Sequence, residues 1–96
     1  MPIQSFGDRA TETFFLTGAT PRNAGWRPLA KIATRKLDMI AYAKVLDDLK
    51  APPSNRLEKL KGNLAGFYSI RINDQWRIVF QWTLHGPDKV KIIDYH

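Results

Sequence analysis

Residues 67–96 hold the side chains best suited to chemistry, which are Arg71, Arg77, Tyr95 and His96. Apolar and polar residues alternate through 68–72 and 76–82, and this pattern predicts a hairpin that is followed by a final strand. Two cations, a phenol and an imidazole on one rigid sheet could bind a phosphate group and move protons. The segment therefore suggests a small basic ribonuclease that needs no metal ion.

Two arginines of the predicted hairpin are candidate phosphate ligands. Arg71 and Arg77 have the same parity in the alternation, so both can project from one face of the sheet. A guanidinium group can donate two hydrogen bonds to phosphate oxygens and stabilise the charge that builds in a phosphorane-like transition state. Lys61, next to Gly62, could add a third cation. Solvated strand arginines and an ordinary lysine–glycine turn would explain the same residues without any function.

Tyr95 and His96 could transfer protons. Imidazole titrates near neutral pH, so His96 could exchange a proton with a ribose 2′-hydroxyl or a leaving 5′-oxygen. Tyr95 could do so less readily, or it could stack on a base. A frayed terminus is the alternative, but Ile92, Ile93 and Tyr95 predict a strand that is anchored almost to its end. We therefore expect an ordered final strand that presents His96.

Arg27, Lys31 and Arg35 recur every four residues at the start of a predicted helix. Like charges at this spacing destabilise an isolated helix by about 0.2–0.5 kcal/mol per pair. The stripe favours an anionic partner, although Asp38 and nearby acids could relieve the repulsion.

The composition limits the classes of function. A chain of 96 residues suits one domain over 1–96, and 15 Lys and Arg against 9 Asp and Glu give a net charge of +6. This charge fits a polyanionic partner, or it serves solubility alone. The absence of cysteine and the presence of two histidines leave no disulfide and no plausible zinc site. No signal peptide, membrane helix, P-loop or nucleophile elbow is evident, so we expect a cytoplasmic protein that binds no membrane.

The elements that would position these groups can be followed along the chain. Residues 3–6 are a short predicted strand, Asp8 is the expected N-cap of a first helix, and Gly18 is placed to end it. Pro28 suits the first turn of a second helix. That helix should end near Ala43, because the apolar residues beyond it fall on a different face.

Four antiparallel strands should follow the paired prolines at 52–53, which lie in the linker after the second helix. They are expected over 56–61, over 68–72, over 76–82 and at the end of the chain, with a turn at 85–88 before the last. One face carries the apolar residues that should pack against the helices, namely Ile70, Ile72, Ile78, Phe80 and Trp82. The other face would then carry Arg71 and Arg77 into solvent. The last strand is too uniformly apolar at Val90, Ile92 and Ile93 for its faces to be assigned.

The predicted fold class is α+β, with an N-terminal strand and two helices packed on one face of a mainly antiparallel sheet. Three stretches of the sequence together resemble the HigB toxins, which belong to the RelE-like superfamily of bacterial toxin–antitoxin systems. They are NRLEKLKG at 55–62, GxYSIRINDQWRIxF at 66–80 and DYH at 94–96. The run RKLDM at 35–39 and the paired prolines are similar too, so the resemblance covers most of the chain.

The resemblance implies a compact ribonuclease-like fold and cleavage of mRNA in the ribosomal A site, without metal or other cofactor. The substrate's own 2′-hydroxyl would attack the adjacent phosphate and give a 2′,3′-cyclic phosphate and a 5′-hydroxyl. The implied partners are the ribosome with its mRNA and a HigA-like helix-turn-helix antitoxin. Operator DNA would be reached indirectly, through the antitoxin.

The resemblance also implies roles for individual residues. Lys61 and Arg77 match the family's phosphate-stabilising cations, and Tyr95 and His96 match its C-terminal catalytic pair. Asp94 matches an acid beside that pair, which would orient a neighbouring catalytic group or bind the substrate.

Glu58 stands where some members of the family have a histidine in a His-x-Leu-Lys-Gly run. A glutamate there could act as a base or orient another group, or it could be a strand carboxylate paired with Lys61 or Arg56. Further cations are expected to contact RNA or the ribosome: Arg71, Arg56, Arg27, Lys31 and Arg35.

Two other functions remain open on the residues alone. A non-catalytic basic protein could inhibit the ribosome by electrostatic binding, but it would leave Tyr95 and His96 without a role. A co-repressor could act with a helix-turn-helix antitoxin on operator DNA.

Overall fold

Two helices and a four-stranded antiparallel sheet make up the computed structural model, which describes residues 2–95. The helices are α1 (Arg9–Thr17) and α2 (Ala30–Tyr42), and the strands are β1 (Glu58–Lys59), β2 (Tyr68–Arg71), β3 (Trp76–Thr83) and β4 (Gly86–Asp94). Short 3-10 turns cover Arg27–Leu29, Leu46–Lys50, Pro53–Asn55 and Gly62–Leu64. The strands form a meander in the order β1-β2-β3-β4. The predicted α+β class is confirmed.

α1 begins and ends where the sequence predicts. The carboxylate of Asp8 accepts a hydrogen bond from the Thr11 N–H at 2.8 Å, which satisfies a donor that the first helical turn leaves unpaired. Gly18 follows the helix with a φ of 80°, a left-handed conformation that glycine tolerates, and its N–H donates to the Phe14 carbonyl. These two local caps fix the helix so that Phe14 is buried in the core.

α2 contributes the central helical part of the core. Ala33, Leu37 and Ile40 have no exposed surface and recur at the period of one helix face. The chain leaves the helix in an extended conformation at Ala43, as predicted. Leu49, in the next 3-10 turn, then packs into the same core.

The side of the sheet that faces the helices carries the predicted apolar layer. Its buried members are Ile70, Ile72, Ile78, Phe80, Val90 and Ile92. Trp76 and Trp82 are half-buried and pack against this cluster. Full burial of such side chains contributes roughly 1.5–3 kcal/mol each, so this layer secures the sheet against the helices.

The opposite face of the sheet is covered around Arg77, and the prediction of a solvated Arg77 was wrong. Ser69 and Val79 on this face have no exposed surface, and the Arg77 side chain is only 15% exposed. Alternation identified the face but not what covers it. Glu58 from β1 and Tyr95 from beyond β4 lie against the Arg77 guanidinium group.

The N-terminal segment has less regular structure than predicted. Phe6 forms a single parallel bridge with Val90. Gln4 N–H donates to the Pro87 carbonyl at 2.7 Å, and Gly7 N–H donates to the Val90 carbonyl at 2.8 Å. The segment therefore lies along β4 without forming the predicted continuous strand.

β4 begins earlier than predicted and contains a bulge. It starts at Gly86, after a two-residue turn, so residues 86–88 lie in the strand rather than in a turn. Its pairing with β3 shifts by one residue between Val79 and Gln81. Lys89 has a φ of 52°, as expected where a bulge accommodates an extra residue.

The bulge explains why the pattern of β4 did not reveal its faces. An extra residue exchanges the two faces of the strand. Beyond the bulge, Ile92 belongs to the helix-facing core, whereas Ile93 lies opposite Arg77 on β3.

Candidate active site

Arg77 is the centre of a polar cluster on the sheet face that lies away from the helices. It lies directly opposite Arg71 of β2 and Ile93 of β4. Its Nη1 donates hydrogen bonds to Glu58 Oε1 and to Ser69 Oγ, both at 3.1 Å. Arg77 is largely buried whereas the Glu58 side chain is 51% exposed, so this charge-assisted pair is only partly shielded from solvent. We refer to Arg77, Glu58, Ser69 and Tyr95 as the Arg77 cluster.

Tyr95 covers the plane of the guanidinium group. Its ring centroid lies 4.7 Å from Arg77 Cζ, within the range of a cation–π contact. The N–H of Tyr95 donates to the Gln75 carbonyl at 2.7 Å, which extends the pairing of β3 and β4 past the end of β4. The expected anchoring of the final strand therefore holds as far as Tyr95.

The register of the sheet explains how Glu58 and Ser69 come together. They pair across β1 and β2, so their side chains share a face, and Ser69 lies diagonally across from Arg77 on the neighbouring strand. Neither pairing considered for Glu58, with Lys61 or Arg56, forms; its partner is Arg77. The sequence analysis gave Ser69 no role, although its parity placed it on the arginine face.

The Arg77 guanidinium keeps donors for a ligand. Glu58 and Ser69 use Nη1, and Nε is buried without an acceptor in the described part of the chain. Nη2 donates to no residue within 2–95 and, unlike Nε, is not fully buried, so its two N–H groups lack a protein acceptor there. The arrangement can therefore hold an oxygen of an anion such as phosphate at a fixed place on the sheet.

Two further residues with predicted catalytic roles, Lys61 and Asp94, are not members of the Arg77 cluster. Lys61 is exposed after the end of β1, and within residues 2–95 it forms no hydrogen bond or ion pair with the cluster. Asp94 is exposed at the end of β4, where its Oδ2 accepts a hydrogen bond from Gln75 Nε2 at 3.1 Å. His96 lies outside the described residues, so its position stays a prediction.

The cations that were predicted to contact RNA are spread over several elements. Arg71 pairs with Asp74 of the turn after β2, and 25% of its side chain is exposed. The remaining four are exposed and lie before β1, in the 3-10 turn before α2, and on α2: Arg56, Arg27, Lys31 and Arg35.

Lys36 is a cation that the sequence analysis did not identify. It is 7% exposed, and its Nζ donates a hydrogen bond to Oδ1 of the fully buried Asn55. Burial, together with the nearby charge of Arg35, lowers the pKa of Lys36 from its ordinary value of 10.5. Its burial could have been predicted from its position between Ala33 and Ile40 on the apolar face of α2.

Two kinds of site are absent from the described part of the chain. Within residues 2–95, no three histidine, cysteine, aspartate or glutamate side chains form a group that could hold a metal ion. No helix in the same range is long and apolar enough to cross a membrane.

The sequence matches, over residues 4–96, the family described as the RelE-like toxin of type II toxin-antitoxin system HigB. It is 52% identical over 49 residues to Toxin HigB-1 of Vibrio cholerae serotype O1, an alignment that covers 51% of this chain and 52% of that protein. An uncharacterized protein of Haemophilus influenzae is 43% identical over 54 residues, which are 56% of this chain and 54% of that protein. The chain thus spans about half the length of the curated relatives that it matches.

Solved structures share the fold at lower sequence identity. The YoeB-YefM complex from Staphylococcus aureus and the heterotetrameric complex of the same toxin and antitoxin each match with a TM-score of 0.56 and 23% identity. Each alignment covers 100% of this chain and 97% of the compared chain. The likeness therefore extends over the whole arrangement of helices and sheet.

Proposed function

Because the chain belongs to the HigB family of RelE-like toxins of type II toxin–antitoxin systems, we propose that it cleaves mRNA in the ribosomal A site and so inhibits translation. The observation that carries this proposal is the Arg77 cluster, in which a fixed guanidinium group keeps Nη2 without an acceptor from residues 2–95 and so able to donate to a phosphate. The net charge of +6 supports binding to the ribosome, whose surface is rich in RNA.

In the proposed reaction, the 2′-hydroxyl oxygen of the substrate attacks the adjacent phosphorus and the bond from phosphorus to the 5′-oxygen breaks. A base takes the proton of the 2′-hydroxyl, and an acid gives one to the leaving 5′-oxygen. The products are a 2′,3′-cyclic phosphate and a 5′-hydroxyl. Arg77, joined by Lys61, stabilises the negative charge that builds on the phosphoryl oxygens. The proposed reaction uses neither a metal ion nor another cofactor.

We assign proton transfer to the C-terminal pair. The imidazole of His96 can act as acid or base near neutral pH. Tyr95, held against Arg77, relays a proton or stacks on a base of the substrate. Glu58 has an orienting role, because its carboxylate is engaged by Arg77 Nη1. Asp94, next to Tyr95, orients a neighbouring catalytic group or binds the substrate.

The proposed partners extend the site to the ribosome and to an antitoxin. Arg71, Arg56, Arg27, Lys31 and Arg35 would contact ribosomal or messenger RNA. A HigA-like helix-turn-helix antitoxin would bind the toxin and connect it to operator DNA. We propose that the toxin acts in the cytoplasm as a single domain over 1–96.

Ribosomes programmed with a defined mRNA provide the test, with new 5′ ends mapped by primer extension. Arg77→Ala should remove these ends, because no other group within residues 2–95 takes the place of Arg77 in its cluster. Arg77→Lys keeps the charge but loses the planar guanidinium group and with it Nη2, the nitrogen proposed to hold the phosphate, so cleavage should be strongly reduced. Arg22→Ala removes an exposed cation from the loop after α1 and should cleave like wild type.

The outcomes separate the candidate functions. Undiminished cleavage by folded Arg77→Ala would show that the site is wrongly assigned. Arrest of translation by the wild type without new mRNA ends would support a non-catalytic ribosome binder. A protein that is harmless alone and only changes the affinity of the antitoxin for operator DNA would support a co-repressor.

A further inference from the structure

A basic groove of about 420 Å³ lies where α2 meets the edge of β2. Within residues 2–95 it is lined by Arg35, Lys36, Arg71, Ser54 and Asn73 together with two isoleucines, and none of these side chains is a carboxylate. We propose that this groove binds a phosphate of the RNA backbone other than the one that is cleaved. The identity of the ligand as RNA rests on the proposed function.

Lys36 is the member of the groove that needs an anion most. It is 7% exposed, and its hydrogen bond to Asn55 Oδ1 uses one of the three donors of the ammonium group. Among residues 2–95 no carboxylate forms an ion pair with Lys36. Burying a cation beside a neutral partner alone costs free energy. A phosphate in the groove would supply both the missing charge and the missing acceptors.

Asn55 holds the ammonium group in place. Its Nδ2 donates to the carbonyls of Leu49 at 3.1 Å and Ala51 at 3.2 Å, which leaves Oδ1 directed to Lys36. Because Asn55 has no exposed surface, this orientation is fixed by the core. The ammonium group is therefore preorganised, and a ligand need not order a mobile lysine side chain.

Arg71 connects the groove to the Arg77 cluster. Arg71 lines the groove and lies directly opposite Arg77 on β3. The partners of β1 on β2 are Tyr68 and Ser69, so β1 does not extend along the edge of β2 as far as Arg71. We therefore place the path of an RNA strand from a scissile phosphate at Arg77, past Arg71 at this uncovered edge, to another phosphate in the groove beside α2.

The Arg77 cluster and the groove are two separate cationic sites, and this arrangement suits an RNA strand better than an acidic protein segment. The phosphates of RNA repeat along one strand, so a single strand can occupy both sites. Arg71 is already paired with the exposed Asp74, and a phosphate at that end of the groove would compete with this carboxylate. Lys36 has no such competitor within residues 2–95 and is the residue whose substitution tests the proposal most directly.

The experiment uses the full chain and a 2′-O-methyl RNA oligonucleotide, which lacks the attacking hydroxyl, so that binding is measured without cleavage. Lys36→Gln removes the charge and keeps an amide that can donate to Asn55 Oδ1. Lys44→Gln is the control, because it removes the same charge from an exposed lysine outside the groove. Affinity is measured by fluorescence anisotropy over a series of salt concentrations.

One phosphate contact with a single strand contributes about 0.7 to the slope of log K against log salt concentration. Lys36→Gln should lower this slope by about 0.7, whereas Lys44→Gln should leave it unchanged. Arg35→Gln removes an exposed cation from the groove without disturbing the Lys36–Asn55 hydrogen bond, and it should also lower the slope. This second variant keeps the test valid if Lys36→Gln does not fold.

Unchanged slopes for both groove variants would refute the proposal. Arg77→Ala in the cleavage assay would still test the proposed function independently, so the two failures can be told apart. If the groove variants weaken binding of an antitoxin segment and leave RNA binding unchanged, the groove is a protein-docking site and the proposal fails.

Discussion

Ser69→Ala tests how the Arg77 cluster is held together. The substitution removes one of the two acceptors of Arg77 Nη1, at 3.1 Å, and changes only a hydroxyl group at a site with no exposed surface. A hydrogen bond to a charged group contributes about 1.5–3 kcal/mol. Since Glu58 still accepts from the same nitrogen, we expect a loss of about 2 kcal/mol in the free energy of unfolding. For a domain of this size, the melting temperature should fall by about 8–16 °C.

A double-mutant cycle with Arg77→Met isolates the bond. Methionine keeps an apolar chain beneath Tyr95 but leaves the buried Ser69 hydroxyl without a donor. An unsatisfied buried hydroxyl costs roughly 1–3 kcal/mol, so in the Arg77→Met background Ser69→Ala should be neutral or should raise the free energy of unfolding. Urea denaturation followed by tryptophan fluorescence measures all four proteins. An equal cost of Ser69→Ala in both backgrounds would refute the view that Ser69 positions Arg77.

Two further predictions concern the frame around the site. Asp48 accepts hydrogen bonds from the backbone N–H groups of Lys44 and Val45, and these hold the pKa of its carboxyl below the ordinary 3.8. Asp48→Asn should lower the melting temperature at neutral pH. The difference in melting temperature from wild type should shrink as pH falls through the folded-state pKa of Asp48, and a difference that does not change with pH would contradict this. Gly25→Ala would place a Cβ 2.6 Å from Trp76 Cζ2, so it should cost about 1–3 kcal/mol by urea denaturation. The cost should largely disappear in a Trp76→Leu background, and a cost that persists there would point to the backbone instead of the indole ring.

Features that depend on neighbouring residues could be predicted from the sequence. The caps of α1 at Asp8 and Gly18 are local signals, since each acts on backbone groups within a few residues. The end of α2 at Ala43 followed from the apolar period. Alternation likewise placed Arg71 and Arg77 on one face, and they proved to be direct neighbours across β2 and β3.

Features that depend on distant parts of the chain could not be predicted in this way. The burial of Arg77 requires Glu58, from the two-residue strand β1, and Tyr95, from beyond β4, to meet over it. That meeting depends on strand register, which alternation within one strand does not specify. The burial of Lys36 could not be predicted for a related reason. Its partner Asn55 comes from a 3-10 turn, and such a turn has no periodic sequence pattern.

The bulge at Lys89 makes the length of β4 as important to the site as its composition. Beyond the bulge, the alternation places Tyr95 on the face of Arg77, while the turn before Gly86 fixes the other end of the strand. If Lys89 were deleted, the two ends could not both keep their register, and either the hairpin turn or the contact between Tyr95 and Arg77 would be lost. Loss of a single codon could thus inactivate the toxin while every residue of the Arg77 cluster is still encoded.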